Sequence, residues 1–180
     1  MKNTTSRFIS IFIAAIMLLT ITSPTIYGVD KSYKTSSAPP QISKELKGKE
    51  ELIKYFNEIK RIRNNMNTIS INAETAKQKS DTIQKQITSY SSELKTVLNL
   101  LTRFKVIYKD SPSDLFVANQ IEIIAFILDS SLQQQALLVN RLAQGEATDL
   151  FFSEYLVSIY YYLNIADEMI SYLERFYGVK

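Results

Sequence analysis

Residues 52–108 contain neither glycine nor proline, and they constrain the fold of this chain more than any other feature. Their apolar residues recur at alternating steps of three and four, the pattern of one continuous apolar stripe along a coiled-coil helix. Other helices must cover such a stripe, because it would otherwise face water. The pattern therefore predicts an all-α protein. The stripe consists of Leu52, Tyr55, Ile59, Ile62, Met66, Ile69, Ala73, Ala76, Ser80, Ile83, Ile87, Tyr90, Leu94, Val97, Leu101, Phe104 and Tyr108.

The run Thr68–Asn72 decides whether this stretch is one helix or two. Its β-branched and cap-forming residues have poor helix propensity, and the stripe thins to alanine and serine just after it. Asn72 is a good N-cap for a new helix that has Glu74 in its first turn. We therefore predict that the helix breaks here.

Proline and glycine mark the other helix boundaries. Pro112 ends the stretch before it, and Ser113 is the expected N-cap of a third helix that closes at Gly145. Gly178 closes the fourth. At the other end, Ser43 is the expected N-cap of the first helix. The predicted helices span residues 43–69, 73–109, 113–144 and 149–177.

Four helices of similar length predict an antiparallel up-down four-helix bundle over residues 43–178. Gly48 weakens the beginning of the first helix, so its firm part is expected to start nearer Glu50. The alternative fold is one long helix over residues 43–109, packed with a shorter two-helix hairpin.

Residues 1–28 have the pattern of a secretory signal peptide. Lys2 and Arg7 precede an apolar run that is short for a transmembrane helix. Residues 29–42 are polar and contain two adjacent prolines, so we expect a disordered spacer. The expected location is secreted or extracytoplasmic, and the alternative is an uncleaved anchor, residues 8–23, in contact with the membrane. Export of a chain without cysteine favours a bacterial origin.

The chain contains no cysteine and no histidine. Disulfides, thiolate metal sites, Ser-His-Asp triads and histidine-based zinc or di-iron sites are therefore excluded. Glycine-rich phosphate loops and calcium-binding loops are also missing from the sequence. We expect a protein that is not an enzyme, with no catalytic residues, no metal site and no cofactor.

Charge argues against a nucleic-acid partner, because residues 29–180 hold 19 basic and 18 acidic residues. The two halves differ strongly. Residues 29–110 hold 16 basic and 9 acidic residues, whereas residues 111–180 hold 3 basic and 9 acidic residues. We interpret this asymmetry as favouring the correct arrangement of the helices.

Aromatic residues are concentrated in the fourth helix, and they are the best functional indication in the sequence. Three consecutive tyrosines, residues 160–162, spread over 200° of a helix and cannot all face one core. One interpretation is that tyrosines line the core edge with their hydroxyl groups in water. The other is an exposed aromatic strip that binds a partner. The candidate partner-binding residues are Phe151, Tyr155, Tyr160, Tyr161, Tyr162 and Tyr172.

These features predict an exported, non-enzymatic helical bundle that acts through protein–protein contacts, as an adaptor, sensor-like or cell-surface module. The expected partner is an unidentified protein, and a homo-oligomer is one form of it. The competing hypothesis is a membrane-active protein that binds or permeabilises a bilayer through its apolar third and aromatic fourth helices. That hypothesis brings Glu122 and Asp129 close to lipid, which is costly.

Overall fold

The computed structural model describes residues 45–145 and 149–179, with the side chains of all but residues 149–152. Within these ranges the chain forms four α-helices and no strand. Consecutive helices run in opposite directions, which confirms the predicted antiparallel up-down bundle. The predicted signal peptide, residues 1–28, the spacer, residues 29–42, and the Ser43 cap lie outside the described residues. The helices are α1 (Lys49–Met66), α2 (Ala73–Ile107), α3 (Pro112–Ala143) and α4 (Asp149–Tyr177).

The third helix is the centre of the bundle. It packs against α1, α2 and α4, and fourteen of its residues are buried. The apolar stripes of the other helices face it, as the heptad pattern requires. Phe56, which lies outside the predicted stripe, is fully buried, whereas Tyr55 is half-buried. The largest fully buried side chains are Leu52, Phe56, Ile59, Ile62, Leu94, Leu101, Phe104, Ile121, Ile124, Leu128, Leu132 and Leu138.

The helical structure is interrupted between α1 and α2, which rules out one long helix over residues 43–109. Asn72 is the N-cap of α2. Its side chain accepts a hydrogen bond from the Thr75 backbone N–H at 2.8 Å, and the Thr75 hydroxyl accepts one from the Asn72 N–H at 3.0 Å. This reciprocal pair is a capping box, which satisfies two backbone donors at once. A kink at Lys79 follows, where the predicted stripe is thinnest.

The first helix is much shorter than the matched length that the sequence predicts. It has 18 residues, against 35, 32 and 29 in α2, α3 and α4. Residues 67–72 continue along the bundle without helical structure, and Ile69 and Ile71 pack against the core. The Gln86 side chain donates a hydrogen bond to the Thr68 hydroxyl at 3.1 Å. This segment therefore covers apolar surface that a longer α1 would otherwise cover.

The third helix starts at Pro112, not at the predicted residue 113. Proline suits the first helical position, because its backbone nitrogen has no hydrogen to satisfy there. Ser111 takes the N-cap position, whereas the predicted cap, Ser113, is buried within the first turn. The far ends agree with the sequence: Gly145 and Gly178 follow α3 and α4 with φ of 72° and 58°.

A buried carboxylate, Asp114, joins the start of α3 to the start of α1. Its two oxygens accept hydrogen bonds from the backbone N–H groups of Lys47 at 3.1 Å and Gly48 at 2.9 Å. The Ser111 hydroxyl donates to the same carboxylate. Asp114 lies in the first turn of α3, where the helix dipole favours a negative charge. These contacts explain why α1 begins at Lys49 and not near residue 43.

Gly48 permits this contact because there is no room for a side chain. A Cβ atom at this position would lie 2.4 Å from the Phe104 ring and 2.8 Å from the Tyr108 ring. Those two rings stack on each other with centroids 4.3 Å apart, and Tyr55 meets Phe104 edge-on at 6.2 Å. A side chain at position 48 would have to displace these packed rings, whereas glycine lets the backbone lie against them.

Ion pairs join the basic first half of the chain to the acidic second half. Arg63 of α1 makes two hydrogen bonds, of 2.9 and 2.7 Å, with the Asp167 carboxylate of α4. Lys60 and Glu174 join the same two helices at 2.8 Å, and a 2.8 Å pair between Lys105 and Glu122 joins α2 to α3. Each such pair adds little stability, but together they favour this arrangement of helices over its alternatives.

Replacing Asp114 by alanine should destabilise the protein by roughly 3 kcal/mol, because two backbone N–H groups lose their acceptor in a buried place. Asp114→Asn should cost nearly as much, since one amide hydrogen would face a donor. Denaturant unfolding followed by circular dichroism measures the change. Asp110→Asn, which changes an exposed carboxylate close to the start of α3, is the matched control. A loss for Asp114→Ala no larger than for the control would contradict this role.

Candidate interaction surface

The fourth helix divides into a buried face and an exposed face. Ile159, Leu163, Ala166 and Leu173 are buried against the bundle. Since a helix turns about 100° per residue, positions three and four residues apart share a face. The opposite side of α4 therefore faces solvent. We define the α4 outer face as Glu154, Val157, Tyr160, Tyr161, Asn164, Glu168, Tyr172, Arg175 and Phe176, all of them exposed.

The structure separates the six aromatic residues singled out in the sequence. Tyr160, Tyr161 and Tyr172 are 60%, 61% and 42% exposed and belong to the α4 outer face. Tyr155 and Tyr162 are half-buried, and Tyr155 packs against the core. The Phe151 side chain lies outside the described residues. The structure thus brings three of the six together on one side of the helix.

Sequence reasoning missed two apolar members of this surface. Val157 is 70% exposed and Phe176 is 48% exposed. Val157 is aliphatic and lies in an apolar stretch, so it reads as a core residue until the buried face is known. The signal that could have found both is their spacing of four residues from Tyr161 and Tyr172.

The apolar residues of the α4 outer face form two groups. Val157, Tyr160 and Tyr161 lie in the first half of the helix, and Tyr172 and Phe176 lie in the second half, with ring centroids 4.8 Å apart. Asn164 and Glu168 separate the two groups. A shallow groove of about 370 Å³ runs over the second half, and Glu168, Tyr172, Arg175 and Phe176 are among the residues that line it.

Tyr177 connects this surface to the core. Its ring lies 6.2 Å from Tyr172 and 5.6 Å from Phe116 of α3. Burial raises the pKa of the Tyr177 hydroxyl, and the neighbouring Tyr172 raises it further. This hydroxyl therefore stays protonated at neutral pH, and Tyr177 is an uncharged neighbour of the second apolar group.

A separate cavity of about 230 Å³ lies where residues 67–72 pass over α3 and α4. Its lining combines apolar side chains, among them Ile69, Ile71 and Leu138, with the polar side chains of Asn67 and Tyr160. Gln135 is its buried polar residue, and the Gln135 amide donates to the Ser131 hydroxyl at 3.4 Å. Among the described residues no acidic or basic side chain lines this cavity, so it resembles a packing gap beside an irregular segment more than a catalytic pocket.

Acidic side chains do not gather into a metal site in the part of the chain that the structure describes. Groups of three or more potential ligands are absent there. Within the same residues, α3 is long and apolar enough to cross a membrane, with a mean hydropathy of 1.5 and 44% of its most apolar window buried in the bundle. The core helix of a bundle satisfies the same criteria of length and composition.

No protein-family model matches this chain, and neither curated proteins nor solved structures show significant similarity to it.

Replacing Tyr160 or Tyr161 by glutamine should change the free energy of unfolding by no more than about 0.5 kcal/mol, because both side chains are mostly exposed. Leu163→Ala, which removes a buried side chain from the same helix, should cost about 2–4 kcal/mol. Denaturant unfolding of the three variants provides the comparison. If Tyr161→Gln cost as much as Leu163→Ala, the ring would belong to the core, not to a free surface.

Proposed function

We propose that this protein is an exported, non-enzymatic helical bundle that acts by binding another protein through the α4 outer face. The observation that carries the proposal is the exposure of Val157, Tyr160 and Tyr161 on one side of α4, at 60% or more each. An exposed apolar surface lowers the solubility of the protein and does not stabilise its fold, so a role in binding accounts for it best.

The chemistry of the surface suits a protein partner. Tyrosine is enriched at protein interfaces because it offers a large, rigid ring together with a hydroxyl that can form hydrogen bonds. The charged residues Glu154, Glu168 and Arg175 surround the apolar groups and supply polar contacts around them. An apolar centre with a polar rim is the usual anatomy of an interface.

The bundle itself provides a rigid support for this surface. The helix carrying it is fixed to α3 by buried side chains and to α1 by the Arg63–Asp167 and Lys60–Glu174 pairs. Side chains on a packed helix are held in place before binding, which lowers the entropy lost on association. Binding through the α4 outer face therefore needs no rearrangement of the core.

Site-specific photo-crosslinking in the producing cells tests the proposal. A photoreactive phenylalanine analogue at Tyr161 or Tyr172 should give discrete protein adducts, at least several-fold stronger than the same analogue at Lys95. Lys95 is exposed on α2 and is the matched control. Mass spectrometry of each adduct separates a second copy of this chain from a different protein. Equal adduct patterns at all three positions would contradict a specific surface on α4.

A membrane-active function is the second candidate, and the length and hydropathy of α3 favour it. It requires α3 to leave the bundle, which breaks the 2.8 Å pair between Lys105 and Glu122 and moves a carboxylate towards lipid. Dye release from anionic and neutral liposomes measures this activity. We expect the folded protein to release no more dye than a buffer blank, and concentration-dependent release would favour the membrane function.

A further inference from the structure

We propose that the partner of the α4 outer face is the α4 helix of a second copy of this chain. The two helices pack antiparallel, with the two-fold axis beside Asn164. This inference rests on the proposed function, because it identifies the partner of the same surface.

The positions of two charges carry the argument. Glu154 and Arg175 are both exposed on the α4 outer face, and Arg175 is the only basic residue in this helix. Among the described residues neither side chain forms an ion pair. They are 21 positions apart, which places them roughly 32 Å from each other along the helix, so they cannot meet within one chain.

An antiparallel arrangement brings these charges together. With the axis between positions 164 and 165, Glu154 of one copy faces Arg175 of the other, and the symmetry of the dimer creates this pair twice. A parallel arrangement would instead place Glu154, Glu168 and Arg175 each beside its own equivalent. Like charges in contact are unfavourable, so the sequence of charges along α4 selects the antiparallel direction.

The same register matches the apolar groups and the groove. Val157 of one copy faces Tyr172 of the other, and Tyr161 faces Glu168. The groove over the second half of α4 is lined by Glu168, Tyr172 and Phe176, and it lies where Val157 and Tyr161 of the second copy arrive. The phenol of Tyr161 can donate a hydrogen bond to the Glu168 carboxylate.

The centre of the interface also fits a pair of identical helices. Asn164 is exposed, and the two-fold axis passes between positions 164 and 165, so the two Asn164 residues lie only about 1.5 Å apart along the helix direction and can contact each other. A carboxamide both donates and accepts hydrogen bonds, so it can pair with itself. A polar residue that pairs with itself at the centre of a helix interface favours one register, as the asparagine of many coiled coils does.

The size of the surface sets the expected affinity. The contact length of roughly 32 Å and a helix width of about 10 Å give a small interface, below the size of typical stable complexes. We therefore expect a reversible dimer with a Kd in the range of about 1–100 µM.

Charge reversal tests the register. Sedimentation velocity is measured over a concentration series on the chain as recovered from producing cells. Glu154→Arg and Arg175→Glu should each weaken the dimer at least about tenfold, because each creates two like-charge contacts. The double variant E154R/R175E should restore the affinity of the original chain. Because the two positions cannot meet within one copy, rescue can only arise between copies.

Two control variants and a folding check accompany this series. Glu74→Lys and Lys95→Glu reverse exposed charges on α2 and should leave the dimer unchanged. Thermal melting by circular dichroism shows whether each variant remains folded. A chain that stays monomeric at about 200 µM, or a double variant that fails to recover, overturns the inference.

Cysteine pairs give an independent measurement, because the chain has no cysteine of its own. In the antiparallel register, the V157C/Y172C chain should form a disulfide-linked dimer on mild oxidation, whereas Val157→Cys alone should not. A covalent dimer from Val157→Cys alone would indicate a parallel pair and overturn the inference. The dimer and the proposed function can be refuted separately. Adducts to a different protein at Tyr161, without any self-association, would support the function and refute the dimer.

Discussion

The hydrogen bonds from the Lys47 and Gly48 backbone N–H groups to the Asp114 carboxylate fix where α1 starts against α3. They place the first turn of α1 beside the first turn of α3, so that both helix N-termini lie near one negative charge. From that starting point, the spacing along α1 brings Lys60 and Arg63 opposite Glu174 and Asp167 of α4. The rest of α1 is arranged by packing, but its starting residue depends on one carboxylate. Gly48 is the complementary requirement, because a side chain there would have to displace the packed rings of Phe104 and Tyr108.

The short first helix has its own physical reason. The β-branched run before Asn72 resists helix formation, and the capping box of Asn72 and Thr75 stabilises a new start at Ala73. Residues 67–72 then pass along the bundle in irregular form, with Ile69 and Ile71 turned towards the core. After the turn at residues 67 and 68, the non-helical residues up to Asn72 cover more length per residue than a helix does, so a short segment leads to the start of α2. The cavity beside Gln135 is the imperfection left by packing an irregular segment against two helices.

Much of this fold could be predicted from the sequence, because helix periodicity and caps are local signals. Asn72, Gly145 and Gly178 act where their chemistry indicates, and stripe residues such as Ile59 and Leu94 are buried. The contact of Asp114 could not be predicted, since its partners lie 67 and 66 positions away in the chain. The same limit applies to the interaction surface. Periodicity shows that Tyr160, Tyr161 and Tyr162 point in different directions, but only the positions of α1 and α3 decide that Tyr162 is the half-buried one.

The start of α1 and the end of α4 lie at the same end of the bundle. Leu46 and Val179 are buried, and the Lys49 ammonium group lies beside Gly178. A stretching force applied between the start of α1 and the end of α4 therefore acts across the seam between these helices, and it loads the contacts of that seam one after another. The Lys60–Glu174 pair would carry the load before Arg63–Asp167, because it lies nearer that end of the bundle. We therefore expect tension to separate this seam one contact at a time, whereas heat or denaturant usually unfolds a small single domain as one cooperative unit.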